Sequence, residues 1–307
     1  MKKSILSLFV ATSLLMGACS KDEVTEDTTT STSGTATTYT NVAYASTSTA
    51  QKMDIYLPSG AGPFPVVVLI HGGAFLGGDK SGEASTAAAL VANGIAAVSI
   101  NYRLTSEAIF PAQIQDCKAA VRFLRANATK YNFNPDKIGS WGASAGGNLS
   151  AMLGTSSGVA ELEGASLGNS SYSSKVTASV DWFGPINFLT MDAEAAALGF
   201  AITTNSSTSP ESKLMGAAVQ TIPDQVAKAN PTTYISSDDA AFFIQVGSVD
   251  RNIPYTQSLN FYNALKTVKG STDVSYELLD GAGHGGSQFS ATSNMAKVMT
   301  FFSKYLK

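Results

Sequence analysis

Histidine and cysteine are the scarce residues of this 307-residue chain, with two of each. Two cysteines cannot build a disulfide scaffold, a cysteine-rich zinc module or an iron–sulfur ligand set. Two histidines leave little room for a multi-histidine metal centre. Charge is sparse as well: 14% of residues are charged, 20 basic against 23 acidic, for a net charge of −3. Such a chain lacks the basic surface that neutralises phosphates, which argues against nucleic acid as a partner. Apolar residues nevertheless make up 44%, enough for a packed core and too many for global disorder. The shortage of histidine is also a constraint, because any mechanism that needs an imidazole must use His71 or His284.

The N-terminus carries Lys2 and Lys3 and then a largely apolar run from Ile5 to Met16. As a helix this run would span roughly 18 Å, against about 30 Å of bilayer hydrocarbon. It reads as an export signal and not as a membrane span. Met16-Gly17-Ala18-Cys19 resembles a bacterial lipobox, with Met16 where leucine is usual. On that resemblance residues 1–18 are a lipoprotein signal peptide and Cys19 is the lipid anchor, which makes the chain a bacterial envelope or surface lipoprotein that meets the membrane only through its lipid. Ordinary cleavage after Ala18 is the alternative. Ser20-Lys21-Asp22-Glu23 more weakly resembles an acidic surface-export signal. Loss of Lys2 and Lys3 with the signal would take the net charge from −3 to −5. From Val24 to about Thr38 the chain is nearly all Thr, Ser, Asp, Glu, Gly and Ala, so residues 19–38 are expected to be a flexible tether.

Residues 39–307 are expected to form one domain. Strands are expected at Asn41–Ala45, Lys52–Leu57, Pro65–Ile70, Ile95–Asn101, Lys137–Trp141, Lys175–Phe183, Ala241–Val246 and Val274–Leu279. Between them lie helical patterns at Glu83–Asn93, Pro111–Thr129, Asn148–Leu153, Pro254–Val268 and Ala291–Tyr305. This alternation predicts an α/β class with a mostly parallel central sheet and helices on both faces. Gly154–Ser174 and Met191–Ala227 fall outside the alternation and read as loops or parts of a lid. Cys117 lies within a helical pattern and reads as a small packed hydrophobe.

The pattern Gly-x-Ser-x-Gly occurs three times, at Gly142–Gly146, Gly154–Gly158 and Gly164–Gly168. The first copy follows a strand and precedes a helix, the setting of a nucleophile elbow, where the strained serine and close backbone approach call for glycine. The copy at Gly164–Gly168 lies in a polar stretch with neither, so Ser166 reads as a loop residue. Ser144 is the candidate nucleophile. A hydroxyl needs a base. His284, in the glycine-rich loop after Val274–Leu279, comes later in sequence and can return to the serine. His71 ends the Pro65–Ile70 strand and opens His71-Gly72-Gly73-Ala74-Phe75, a composition suited to an oxyanion loop. It is expected to shape that turn. The backbone N–H groups of Gly72, Gly73 and Ala145 are the candidate oxyanion donors. Asp250, just beyond Ala241–Val246, is the candidate acid, which gives the order Ser, Asp, His. Asp181, Asp280 and Glu277 are its rivals.

With these residues in place the chain resembles an α/β-hydrolase of the esterase/lipase kind, and within that group the hormone-sensitive-lipase-like and carbohydrate-acting acetyl or feruloyl esterases. The likeness runs from about residue 39 to 307. It is carried by Met53–Pro58, His71–Phe75, Asn101–Leu104, Trp141–Asn148, Asp181–Pro185 and the Asp250 and His284 loops. It implies the α/β-hydrolase fold, a serine esterase mechanism with no metal or organic cofactor, and ester substrates, either small molecules or acylated polysaccharides. It also gives Asp54, Arg103 and Asp116 structural roles. The family's oxyanion loop often has another glycine or a tryptophan where this chain has Phe75-Leu76. Two alternatives remain, a serine peptidase of the same fold and a non-catalytic binding domain on a hydrolase scaffold.

Overall fold

A computed structural model describes residues 27–29 and 37–307. The expected signal peptide and Cys19 lie outside the described residues. In chain order the strands and helices are β1 (Asp27–Thr29), β2 (Thr37–Ala43), β3 (Lys52–Leu57), β4 (Phe64–Ile70), α1 (Ala84–Ala92), β5 (Ala96–Ile100), α2 (Ala112–Ala126), α3 (Ala128–Tyr131), β6 (Phe133–Ala143), α4 (Ala145–Thr155), α5 (Ala160–Glu163), β7 (Ala178–Trp182), α6 (Met191–Ala197), α7 (Pro210–Met215), α8 (Pro223–Ala227), β8 (Ala241–Gly247), α9 (Tyr255–Lys269), β9 (Val274–Leu279), α10 (Ser287–Ser290) and α11 (Thr292–Leu306). The sheet order is β1-β2-β3-β5-β4-β6-β7-β8-β9. The pairs β1–β2, β2–β3 and β3–β5 are antiparallel, and every pair from β5 to β9 is parallel. This is the mostly parallel sheet that the alternation predicts.

The central strands read as continuous apolar runs because both of their faces are covered. Along β4, Val66, Val68 and Ile70 enter one core with α2, α4 and α9, while Val67 and Leu69 enter a second core with α1 and α11. All five are at most 1% exposed, and each such burial is worth about 1.5–3 kcal/mol. The two-residue period of a strand thus loads both faces of the sheet.

The boundaries differ from the sequence reading at the antiparallel edge. β2 begins at Thr37 and not at Asn41, and a bulge between Tyr39 and Val42 interrupts the alternation that would mark it in the sequence. Asn41 sits in the bulge at φ 55° and donates its N–H to Asp54 Oδ1 at 2.7 Å. Asp54 Oδ2 pairs with Lys80 at 2.8 Å. Within the stretch expected to be a tether, Asp27–Thr29 pairs with Thr38–Thr40 as a short outer strand. Its threonines are β-branched and favour an extended backbone.

The charged pair Arg103–Asp116 ties the loop after β5 to α2. Asp116 is fully buried and accepts from the Arg103 backbone N–H as well as from its guanidinium. Breaking such a buried pair from one side leaves an uncompensated charge. Cys117, next to it, is buried, and burial pushes its thiol well above the ordinary 9.0. It packs as a neutral side chain, as expected.

Candidate active site

Ser144 stands between the C-terminal end of β6 and the first turn of α4, with φ 56° and ψ −123°. A non-glycine residue in this region is strained and persists only where its surroundings fix it. Here Ser144 N–H donates to Trp182 O at 2.9 Å, and Asn148 N–H donates to Ser144 O at 3.1 Å. The flanking glycines permit the turn. A Cβ on Gly142 would overlap the Gly146 carbonyl, and a Cβ on Gly146 would overlap the Ile70 carbonyl. The copy of the motif at Gly164–Gly168 is a single 3₁₀ turn at Ala165–Leu167, with Ser166 exposed. Its glycine carbonyls accept from Arg122.

The loops after β8 and β9 bring the other two residues to Ser144. Ser144 and His284 are 140 positions apart in sequence, and the Ser144 hydroxyl donates to His284 Nε2 at 2.9 Å. His284 Nδ1 faces Asp250 Oδ2 at 2.8 Å. The other oxygen, Asp250 Oδ1, accepts the N–H groups of Asn252 and Ile253 at 2.8 and 2.9 Å. The Asp250 side chain is fully buried and that of His284 is 21% exposed. A carboxylate fixed in this way holds the imidazole tautomer that leaves Nε2 free to take a proton. The Phe183 ring lies edge-on to His284, 4.7 Å between centroids.

The rival carboxylates sit elsewhere. Glu277 pairs with Lys297 at 2.9 Å and accepts from Gln245. Asp280 is exposed, with only a long 3.5 Å contact to Ser248 Oγ. Asp181 is fully buried. Its Oδ1 accepts the Gly184 N–H at 2.9 Å, while Oδ2 has no partner among the described residues. Burial pushes its carboxyl from the ordinary 3.8 up to about 7. It braces the turn that carries Phe183, which has φ 44°, to the face of His284.

His71 is 4% exposed. Its Nδ1 lies 2.7 Å from the Gly72 carbonyl, and its ring stacks on Tyr102 at 4.4 Å. Tyr102 also donates its hydroxyl to the His71 carbonyl. Burial lowers the His71 pKa, so the ring is a neutral brace for the turn. A Cβ on Gly72 would stand 3.4 Å from Ser144 Cβ, so the loop lies against the elbow. The Gly73 carbonyl then closes a tight turn by accepting from Leu76 and Gly77. Ala145 opens α4, where first-turn N–H groups have no acceptor within the helix.

A cavity of about 360 Å³ opens at this point, lined by Ser144, His284, Ala145, Ala74 and Phe75. Ala74 and Phe75 both have left-handed backbones, φ 57° and 60°. The sequence points to the loop's glycines, whereas the lining residues of that loop are the two that follow. The far wall comes from Met191, Ile202, Thr204 and Glu211, all within the stretch Met191–Ala227 that the alternation leaves unassigned. Gly154–Ser174 contributes none of the lining; Glu163 within it pairs with Lys118 and Arg122.

The BD-FAE family matches residues 53–265. The chain belongs to that family, and with it to the esterase branch of the α/β-hydrolases. Among solved structures, this BD-FAE chain is similar to a truncated carbohydrate esterase from gut microbiota, at 34% identity and TM-score 0.79, covering 87% of this chain and 95% of that one. It is also similar to a bifunctional GH43-CE protein of Bacteroides eggerthii, at 36% identity and TM-score 0.78, covering 87% of this chain and 35% of that one. Esterase LipC of Mycobacterium tuberculosis is 29% identical over 224 residues, which cover 73% of this chain and 53% of LipC. The chain spans about half the length of the curated relatives it matches.

Proposed function

We propose that the protein is a serine carboxylesterase that works through an acyl-enzyme and removes short acyl or feruloyl groups from polysaccharides. The observation that carries this reading is the unbroken relay from Asp250 to His284 to Ser144 Oγ at the wall of an open cavity. In this reading His284 takes the Ser144 proton as Oγ attacks the ester carbonyl carbon. The carbonyl oxygen becomes an oxyanion, met by backbone N–H groups of Ala145 and of the Gly72-Gly73 loop, each donor worth about 10²–10³ in rate. His284 then protonates the departing alcohol as the carbon–oxygen bond breaks, and later draws a proton from the water that hydrolyses the acyl-enzyme. The carbohydrate neighbours support the substrate class. Thr203, Thr204 and Asn252 at the cavity suit a hydroxylated partner better than a long alkyl chain. Cys19 would carry the lipid anchor.

The test is an ester series assayed on cell fractions of wild type and Cys19→Ser. Acetyl esters, acetylated xylan or methyl ferulate should turn over, with kcat/KM falling for long acyl chains. The activity should sediment with membranes only while Cys19 is present. Preference for long-chain esters, or for aminoacyl amides, would overturn the substrate reading. Wild-type activity that stays soluble would overturn the anchor.

A further inference from the structure

Arg251 brings to the catalytic cavity a positive charge that no carboxylate among the described residues answers. It lines the cavity together with Ser144 and His284, it is exposed, and its partner is the Phe200 ring, 4.8 Å from Cζ. The protein as a whole is acidic, so a bare guanidinium at this point runs against the general charge. The turn that carries it is hydrogen-bonded. The preceding residue is Asp250, whose Oδ1 holds the next two backbone N–H groups. The ring beneath the guanidinium supplies a cation–π support that orders a long side chain before anything binds. A planar guanidinium held in this way suits bidentate pairing with a carboxylate.

The rest of the lining agrees with an anionic guest. Glu211 is the carboxyl of the cavity. It is 8% exposed, and burial raises its pKa. Asn252, Thr203 and Thr204 add neutral polar groups. Arg251 follows in sequence the residue that orients His284, and His284 Nε2 is the atom that would protonate the leaving oxygen.

We propose that Arg251 is a specificity-determining residue that pairs with a carboxylate on the alcohol half of the ester, as a uronic acid unit in an acylated polysaccharide would present. This inference rests on the esterase reading above.

The test uses an O-acetylated methyl glucuronoside as two near-isosteric probes, the free acid and the neutral carboxamide, assayed with the full-length protein. For wild type, kcat/KM should favour the acid by about tenfold, the scale of one partly exposed charged hydrogen-bonded pair. The gain should sit mainly in KM and shrink as salt is added. In Arg251→Gln the acid-to-amide ratio should fall to about one, and Arg251→Lys should keep part of it. Because the reading is a ratio within each variant, a general loss of activity cancels. Equal turnover of the two probes by wild type would overturn the inference and leave the esterase reading intact, as would a ratio unchanged in Arg251→Gln. Failure to hydrolyse either probe or any simple ester would overturn the esterase reading itself.

Discussion

Replacing His284 by alanine is expected to lower kcat for p-nitrophenyl acetate by at least about 10⁴-fold. The chain has one other imidazole, and the fold has committed it. His71 is buried, stacked on Tyr102 and turned toward the Gly72 carbonyl, so it cannot stand in as the base for Ser144. The fold should survive the change, because His284 lies on a loop, is partly exposed, and has an edge-on ring contact with Phe183. Circular dichroism and a thermal melt close to wild type would show that the loss is chemical. Residual activity within a hundredfold of wild type would mean that the base is misassigned.

Asp250→Asn should cost about 10⁴ in kcat, because the amide can no longer hold the imidazole in the working tautomer or stabilise its cation. Asp181→Asn should stay within about tenfold. Asp181 lies near the end of β7 and Asp250 in the loop after the neighbouring β8, but only Asp250 reaches the imidazole. Asp181 has a different signature, in stability. Its folded pKa is raised from 3.8 to about 7, so the folded protein keeps a proton that the unfolded chain gives up. Between about pH 4 and pH 7 the unfolded chain therefore gains relative to the fold, and the Asp181 contribution to stability is lost as pH rises through that window. The amide introduced by Asp181→Asn does not titrate. The Tm of Asp181→Asn relative to wild type should thus climb from pH 4 to pH 7 and then level off. A flat difference across that range would contradict the buried, protonated state of Asp181. A kcat loss larger for Asp181→Asn than for Asp250→Asn would exchange their roles.

What is legible in the sequence is whatever local chemistry dictates. The run Pro65–Ile70 announces a strand covered on both faces, and the glycines around Ser144 announce an elbow because no side chain fits there. Context also separates the Gly142–Gly146 copy of Gly-x-Ser-x-Gly from that at Gly164–Gly168, which has no strand before it and folds as a short turn. The sequence pattern starts β6 at Lys137, yet the strand starts at Phe133, which pairs with Phe64 across a register shift that strict alternation cannot reveal. Met191–Ala227 is unreadable for another reason. Its helices α6, α7 and α8 are seven, six and five residues long, too short for a periodic signal. Their places are set by packing and by side-chain bonds such as Ser209 capping α7. For the same reason the convergence of Arg251, Glu211 and Thr204 on the cavity is tertiary information, with no motif to mark it. The left-handed Ala74 and Phe75 carry a partial signal, standing directly after the paired glycines of the oxyanion loop.

The central claim is that Ser144 is the covalent nucleophile. The direct measurement is peptide mapping by mass spectrometry after labelling the folded protein with a fluorophosphonate. The account predicts one adduct, on the peptide containing Ser144, with labelling strongly slowed in His284→Ala and absent in Ser144→Ala. An adduct on Ser166, or no adduct on a protein that still hydrolyses esters, would contradict it.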